Sequence, residues 1–167
     1  MDINRINGVK ELVWYDITER RTASFMKTLK NLASLDGLTL ERAHRRLTEL
    51  TLNPLFHIFA ALTPDDDIVS VTTLFIEPKI IHNAGYVGHI EDVATQKGYE
   101  NQGLGSLVMR AALDCAWRHG CYKTILDCGD HRVSFYENLG FRRHENCMRI
   151  NRPENFAPVS FVYRSDL

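Results

Sequence analysis

The sequence predicts a single α/β (α+β) domain in which helices cover both faces of a mixed central β-sheet. Three observations carry that reading. Two runs rich in β-branched and aromatic residues, 54–62 and 67–78, flank the polar stretch Thr63-Pro64-Asp65-Asp66-Asp67, the pattern of a hairpin. From residue 84 onward, strand-like and helix-like segments alternate, which calls for a mixed sheet. No internal repeat or low-complexity linker divides the chain, so residues 1–167 are expected to form one domain.

Taken in order, ELVWYDIT (11–18) reads as a strand. The segment 19–35 reads as a helix with Phe25, Leu29 and Leu32 on one stripe; Thr18 is its N-cap, and Arg21 breaks the capping box. Asp36-Gly37 ends it, and Thr39 with Glu41 opens a second helix through about Leu50. The two hairpin strands follow, then AGYVGHIEDVAT (84–95). The helix that the Gly103 and Gly105 loop runs into carries Leu104, Leu107, Val108, Ala111 and Cys115 on one stripe. YKTILDC (122–128), a short helix at 131–139 capped by Gly140, and a strand at 141–151 complete the order. Residues 152–167 are expected to be a C-terminal arm or extra strand.

A formal net charge of −1 gives no basis for a nucleic-acid or anionic-membrane partner. At 167 residues the chain can bury roughly 70% of its unfolded surface. Cys115, Cys121, Cys128 and Cys147 are separated by 5, 6 and 18 intervening residues, so no C-x-x-C exists and the cysteines read as reduced apolar fillers. The histidines include no H-x-x-x-H pair, and no metal is expected. Neither a signal peptide nor an 18-residue apolar run is present, which points to the cytoplasm. The final Ser165-Asp166-Leu167 is a weak version of a peroxisome-type address.

Chemistry concentrates in YENQGLGSLVMRAALDCAWRHG (99–120). A helix N-terminus presents unpaired N–H groups and partial positive charge, and glycines let an anion approach them. The dinucleotide fingerprint fails because position 108 is Val, and the P-loop fails because Gly98 and Gly103 have its separation but Leu104-Gly105 follows in place of Lys-Ser/Thr. What remains, x-x-Gly-x-Gly between a strand and a helix, resembles motif A of the GNAT acetyltransferase superfamily. There the loop holds the pyrophosphate of coenzyme A. The motif usually opens with Gln or Arg, but this chain has Glu100, which is expected to face solvent while Gln102 and Ser106 assist.

Between about 77 and 150 the chain further resembles the glucosamine 6-phosphate N-acetyltransferase family. The carrying blocks are KIIH (79–82), GHIEDVA (88–94), QGLGSL (102–107), GCYKTILDC (120–128) and SFYENLGF (134–141). The resemblance implies the GNAT fold, acetyl-CoA as co-substrate and D-glucosamine 6-phosphate as acceptor. It also implies a homodimer whose active site is completed across the interface. The amine would attack the thioester directly in a ternary complex, giving N-acetylglucosamine 6-phosphate on the way to UDP-N-acetylglucosamine.

Carried onto this chain, the family's roles fall as follows. Glu91 and Asp127 are the carboxylates near the amine, whose proton must leave before attack. The backbone N–H of Val93, freed by a bulge or splay after Asp92, would hold the thioester oxygen. Tyr136 would protonate the leaving thiolate. The cofactor would lie along Asp92, Val93, Ala94, Asn101, Gln102, Gly103, Leu104, Gly105, Ser106, Asp127 and Tyr136. The sugar phosphate would meet Lys79, Ile80, Ile81, His82, Glu91, Asp92, Tyr122, Lys123, Arg149 and Arg152, with Tyr122 and Lys123 supplied by the partner subunit. Two positions depart from the pattern. The family's C-terminal arginine aligns with Asn151, between Arg149 and Arg152, and an N-terminal hydroxyl aligns with Ala33, beside Ser34. Competing readings are a GNAT enzyme for another amine and a silent acyl-CoA sensor.

Overall fold

Opposite faces of the same strands feed two separate cores, and this alternation organises the molecule. The computed structural model describes residues 10–13, as backbone, and 17–152. Strands β1 (Lys10–Val13), β2 (Phe56–Leu62), β3 (Ile68–Pro78), β4 (Tyr86–Thr95) and β5 (Cys121–Ile125) form one sheet in sequence order. Neighbours β1 to β4 are antiparallel, and β4 pairs with β5 in parallel. In β2, Ile58, Ala60 and Leu62 face α1 (Glu19–Leu29) and α2 (Leu40–Thr51), joining Phe25, Leu47 and Val71. Phe59 and Ala61 face the other way, against Val108, Met109, Ala112 and Ala116 of α4 (Leu104–Arg118). Helices therefore cover both faces, as the sequence pattern predicts. Among the described residues no helix is long and apolar enough to cross a membrane.

Several boundaries shift for identifiable reasons. α1 stops at Leu29 rather than 35, leaving Leu32 half-exposed. Its buried face carries hydroxyls: Ser24 accepts from the Ile68 amide at 2.7 Å, and Thr28 donates to the Ile68 carbonyl at 2.7 Å. Hydrogen bonds to backbone thus replace part of the expected apolar stripe. On α4 the buried stripe is Leu104, Val108, Met109, Ala112 and Ala116, so Leu107, Ala111 and Cys115 lie at its margin. The expected last strand, 141–151, has no regular structure; residues 153–167, with the C-terminal arm and the Ser-Asp-Leu tripeptide, lie outside the described residues.

Caps and turns fix the rest. Thr18 and Thr39 accept from the amides of Arg21 and Arg42, as N-caps do. Arg21 leaves the capping box and makes two hydrogen bonds to Asp66, at 3.0 and 2.8 Å, pinning α1 to the β2–β3 turn. After β3 comes α3 (Ile81–Ala84), a turn in which His82, Asn83 and Ala84 all have positive φ. A 3-10 turn (Asp130–Arg132) leads into α5 (Val133–Glu137), shorter than expected but followed by Gly140 at φ 94°. Leu74 is fully buried and Leu52 is 80% exposed. Leu74→Ala is expected to cost about 2–5 kcal/mol in urea unfolding, and Leu52→Ala less than about 0.5 kcal/mol.

Candidate active site

The parallel pair β4–β5 is registered from Tyr86 with Cys121 to His89 with Ile125, and there it ends. β4 continues to Thr95 on β3 alone, so the two chains part and open a notch. On β4 the register with β3 jumps from Glu91–Thr73 to Ala94–Val71. Asp92, at φ 54°, is the bulged residue. The extra residue reverses the side-chain alternation: Ile90 packs in the α4 core, as Val93 does, while Ala94 packs in the α1 core. The Thr73 hydroxyl donates to Asp92 Oδ2 at 3.3 Å and holds the bulge on the α1 side.

A cavity of about 600 Å³ fills the notch. Of the residues singled out in the sequence, Val93, Ala94, Asn101, Gly103, Leu104, Gly105, Ser106, Asp127 and Tyr136 line it. Gly103 caps α4 with φ 82°, a left-handed conformation that strains any side chain, and no side chain caps the helix. The first-turn amides of Leu104, Gly105 and Ser106 have no partner within the helix and can receive an anion. A Cβ on Gly105 would touch the Phe135 ring at 3.4 Å, so α5 packs directly on this turn.

Carboxylates and a phenol gather beside the cavity, Asp127 and Tyr136 in its wall and Glu91, on β4 just before the bulge, outside the lining. Burial and the nearby Asp92 and Asp127 push the Glu91 carboxyl above its ordinary value. Burial, with smaller contributions from Cys128 and Glu91, raises the Tyr136 phenol further still, against the opposing pull of Arg132. Tyr136 is held edge-on by Phe135 and Phe141, at 5.0 and 6.0 Å between ring centres. The site thus combines a proton-holding phenol, a carboxylate of raised basicity and an anion-binding helix end. That set suits transfer of an acyl group from a phosphorylated carrier to an amine.

Residues 14–141 match the Acetyltransferase (GNAT) family. The chain belongs to the GNAT acetyltransferase family. It is 32% identical over 123 residues to the glucosamine 6-phosphate N-acetyltransferase of Candida albicans, covering 71% of this chain and 80% of that protein. It is 41% identical over 88 residues to the same-named protein of Trypanosoma brucei brucei, 53% of this chain and 60% of that one. The crystal structure of glucosamine-6-phosphate N-acetyltransferase from Arabidopsis thaliana superimposes with a TM-score of 0.75 at 26% identity. It covers 86% of this chain and 97% of that one.

Not every expected residue of this acetyltransferase reaches the notch. The Asp92 carboxylate turns away toward Thr73, and Gln102 spends its amide on the Gly98 carbonyl at 3.3 Å. Glu100, though exposed, does not simply face solvent. It lines the cavity and accepts from the Gly98 amide at 2.6 Å and from Asn31 at 3.2 Å; its own backbone amide first, then that of Gly98 and, less, Asn31 hold its carboxyl below the usual range. Lys79, Ile80, Ile81 and His82 gather at the opposite end of β4. There His82 stacks on Tyr122 at 4.3 Å, Lys123 lies 5.9 Å from the Tyr122 ring centre, and Lys79 pairs with Glu77. Within one chain they are far from Glu91. Arg149 donates to Asn151 at 2.8 Å, two residues after Cys147, whose thiol donates to Asp127 at 3.4 Å. Arg152 ends the described segment. Ser34 accepts from the Asp36 amide in a turn.

Sequence reasoning missed Arg132, Asn31 and Cys128, all in the cavity wall. Arg132 stands one helical turn before Tyr136, a spacing that would have placed it on the same side. Cys128 and Cys147 are exposed beside Asp127, so the apolar-filler reading holds for Cys121 but not for these two. Because Gly103 sits at positive φ, Gly103→Ala is expected to lose about 1–2 kcal/mol of stability in thermal unfolding. Gly105→Ala, whose Cβ would have only ordinary contacts, is expected to lose less.

Proposed function

We propose that this acetyltransferase moves the acetyl group of acetyl-CoA to the 2-amino group of D-glucosamine 6-phosphate. The carrying observation is the single cavity that joins the uncapped α4 terminus, the bulged β4 and Tyr136. The identities to glucosamine 6-phosphate N-acetyltransferases support the choice of acceptor. The cofactor's pyrophosphate would lie on the amides of Leu104, Gly105 and Ser106, beside the cation of Arg132. Its thioester would then reach into the β4–β5 notch.

In the reaction the amine nitrogen bonds to the thioester carbon and the C–S bond breaks. Val93 N–H stabilises the oxygen that becomes negative; removal of such a donor costs on the order of 100-fold in rate. The amine proton passes to Glu91 or Asp127, directly or through water. The Tyr136 phenol gives its proton to the departing sulfur and regains one from solvent. Its raised pKa keeps it protonated for that task at neutral pH. Fixed acids and bases of this kind contribute about 100-fold or more.

With Arg132 assigned to the cofactor's pyrophosphate, the sugar phosphate needs a further cation, so Lys123 of the partner subunit, with Tyr122 beside it, would complete the site. Two observations support a dimer. The free edge of β5 is unpaired among the described residues, and Trp117 and Ile125 beside it are 53% and 37% exposed.

A thiol-release assay is expected to give turnover with glucosamine 6-phosphate; no rate above background would refute the assignment. Tyr136→Phe should lower kcat by about 100-fold. Comparing wild type with Glu91→Gln across pH cancels ionisation of the substrate amine. The activity ratio should fall toward one as acid protonates Glu91, with a midpoint above the ordinary 4.5 because its pKa is raised. Mixing Lys123→Ala with Tyr136→Phe protein should restore turnover that neither has alone.

A further inference from the structure

The far end of α4, away from the notch, holds a second cluster of chemically capable groups. Among the described residues one trio of potential ligands has its atoms within 4.8 Å of one another: His57, Cys115 and His119. Cys115 and His119 are spaced i, i+4 at the C-terminus of α4, so both project from one face of the helix. His57 comes from the start of β2, on the side of that strand facing α4. The two imidazole rings lie 4.9 Å apart between centres.

Three features separate this trio from an accidental meeting. The Nε2 atom of His57 is buried and has no hydrogen-bond partner, an uncommon state for a polar atom. Cys115 Sγ and His119 Nδ1 are 3.5 Å apart. Two ligands at tetrahedral zinc distances, about 2.3 Å for sulfur and about 2.0 Å for nitrogen, stand about 3.6 Å apart. The trio is also graded in exposure: His57 and Cys115 are half-buried and His119 is exposed, so solvent can supply a fourth ligand.

We propose that His57, Cys115 and His119 form a binding site for a borderline-soft divalent cation, zinc above all. Two imidazoles and a thiolate select zinc over magnesium or calcium, which prefer oxygen. Binding replaces the thiol proton of Cys115, which leaves to solvent, and satisfies His57 Nε2. His119 gives up its 2.9 Å contact to the Cys115 carbonyl. The ion staples β2 to the end of α4. The helix's fifteen residues separate it from the cofactor end by about 20 Å, so its role is to hold the fold rather than to act on the substrate. Cys-x-x-x-His completed by a distant strand falls outside both the C-x-x-C and the H-x-x-x-H spacings whose absence argues against a metal in the sequence.

Reduced, metal-free, full-length protein without an affinity tag is titrated with zinc against a chromophoric chelator, and separately with cobalt. The expected result is one equivalent of tightly bound zinc, a cobalt spectrum with a thiolate charge-transfer band, and a higher Tm with zinc. Cys115→Ser should abolish the charge-transfer band. His119→Gln, at an exposed position, should keep its circular dichroism and basal turnover but lose at least about 100-fold in zinc affinity. Absence of stoichiometric binding, a cobalt spectrum without the sulfur band, or unchanged affinity in both variants would overturn the proposal.

Discussion

One inserted residue governs the geometry of this molecule. Asp92 takes a left-handed conformation in the middle of a ten-residue strand, and the strand's two faces exchange beyond it. Without the bulge, Asp92 would point at the α4 core and Val93 at the α1 core, which would bury a carboxylate without a cation. With it, Val93 lies against the α4 side, and Asp92 accepts from the Thr73 hydroxyl at the surface. Backbone strain of this kind costs of order 1–3 kcal/mol and persists only where surroundings enforce it. Ser70 supplies part of that enforcement. Its hydroxyl donates to the Ala94 carbonyl and meets the Thr95 hydroxyl at 2.9 Å, fixing β4 again directly after the bulge.

The notch follows from the same departure. β5 cannot follow a strand that bends away, so its pairing ends at Ile125, and the next residues run freely to Asp127. A split between parallel strands leaves backbone groups without ladder partners on both lips. In an interior this would be costly, but at a ligand site the bound molecule answers those groups. The loop before α4 completes the arrangement with backbone amides, its one lysine, Lys97, standing outside the cavity wall. Asn101 and Gly103, both at positive φ, turn the chain so that the helix starts with its amides toward the cavity. Glu100 lines the cavity, but its carboxylate is engaged by the Gly98 amide and by Asn31, whose amide also donates to the Thr95 carbonyl at 2.8 Å. A residue that departs from the usual motif thereby becomes the tie between the loop, α1 and β4.

What was legible in the sequence was local. The polar turn before Ile68, the threonine caps of α1 and α2 and the glycine loop into α4 each declare themselves within a few residues. The stripe on α4 was misplaced by one position around the helix, because Leu107 and Met109 are equally apolar and only the sheet decides which is buried. The bulge left a trace that alternation alone obscures: Ile90 and Val93 both reach the same core at a spacing of three, where a regular strand requires two or four. The expected strand at 141–151 shows the opposite failure. Its residues carry strand-like chemistry, but Met148 and Ile150 are more than 90% exposed and pair with no described strand. Contacts between distant segments, such as Arg21 with Asp66, had no local signature.

Distance along β4 decides how many chains a site requires. Five residues separate Tyr86, beside the Tyr122 and His82 cluster, from Glu91 at the notch, which is about 16 Å of extended strand. A lysine side chain spans less than half of that. Lys79 is moreover neutralised by Glu77, which is shared with His89 at 2.7 Å. One chain therefore carries a basic, aromatic cluster and a cavity at different ends of β4 and holds them apart on the sheet. In the proposed dimer, a two-fold arrangement setting the β5 edge of one copy against that of another would bring the cation end of each toward the notch of its neighbour. The same apposition would cover Trp117 and Ile125, whose exposure is otherwise unfavourable beside an unpaired strand. Burial of apolar surface and completion of the charge pattern would then favour the same contact, and the spacing along β4 is the physical reason the proposed site draws on a second copy.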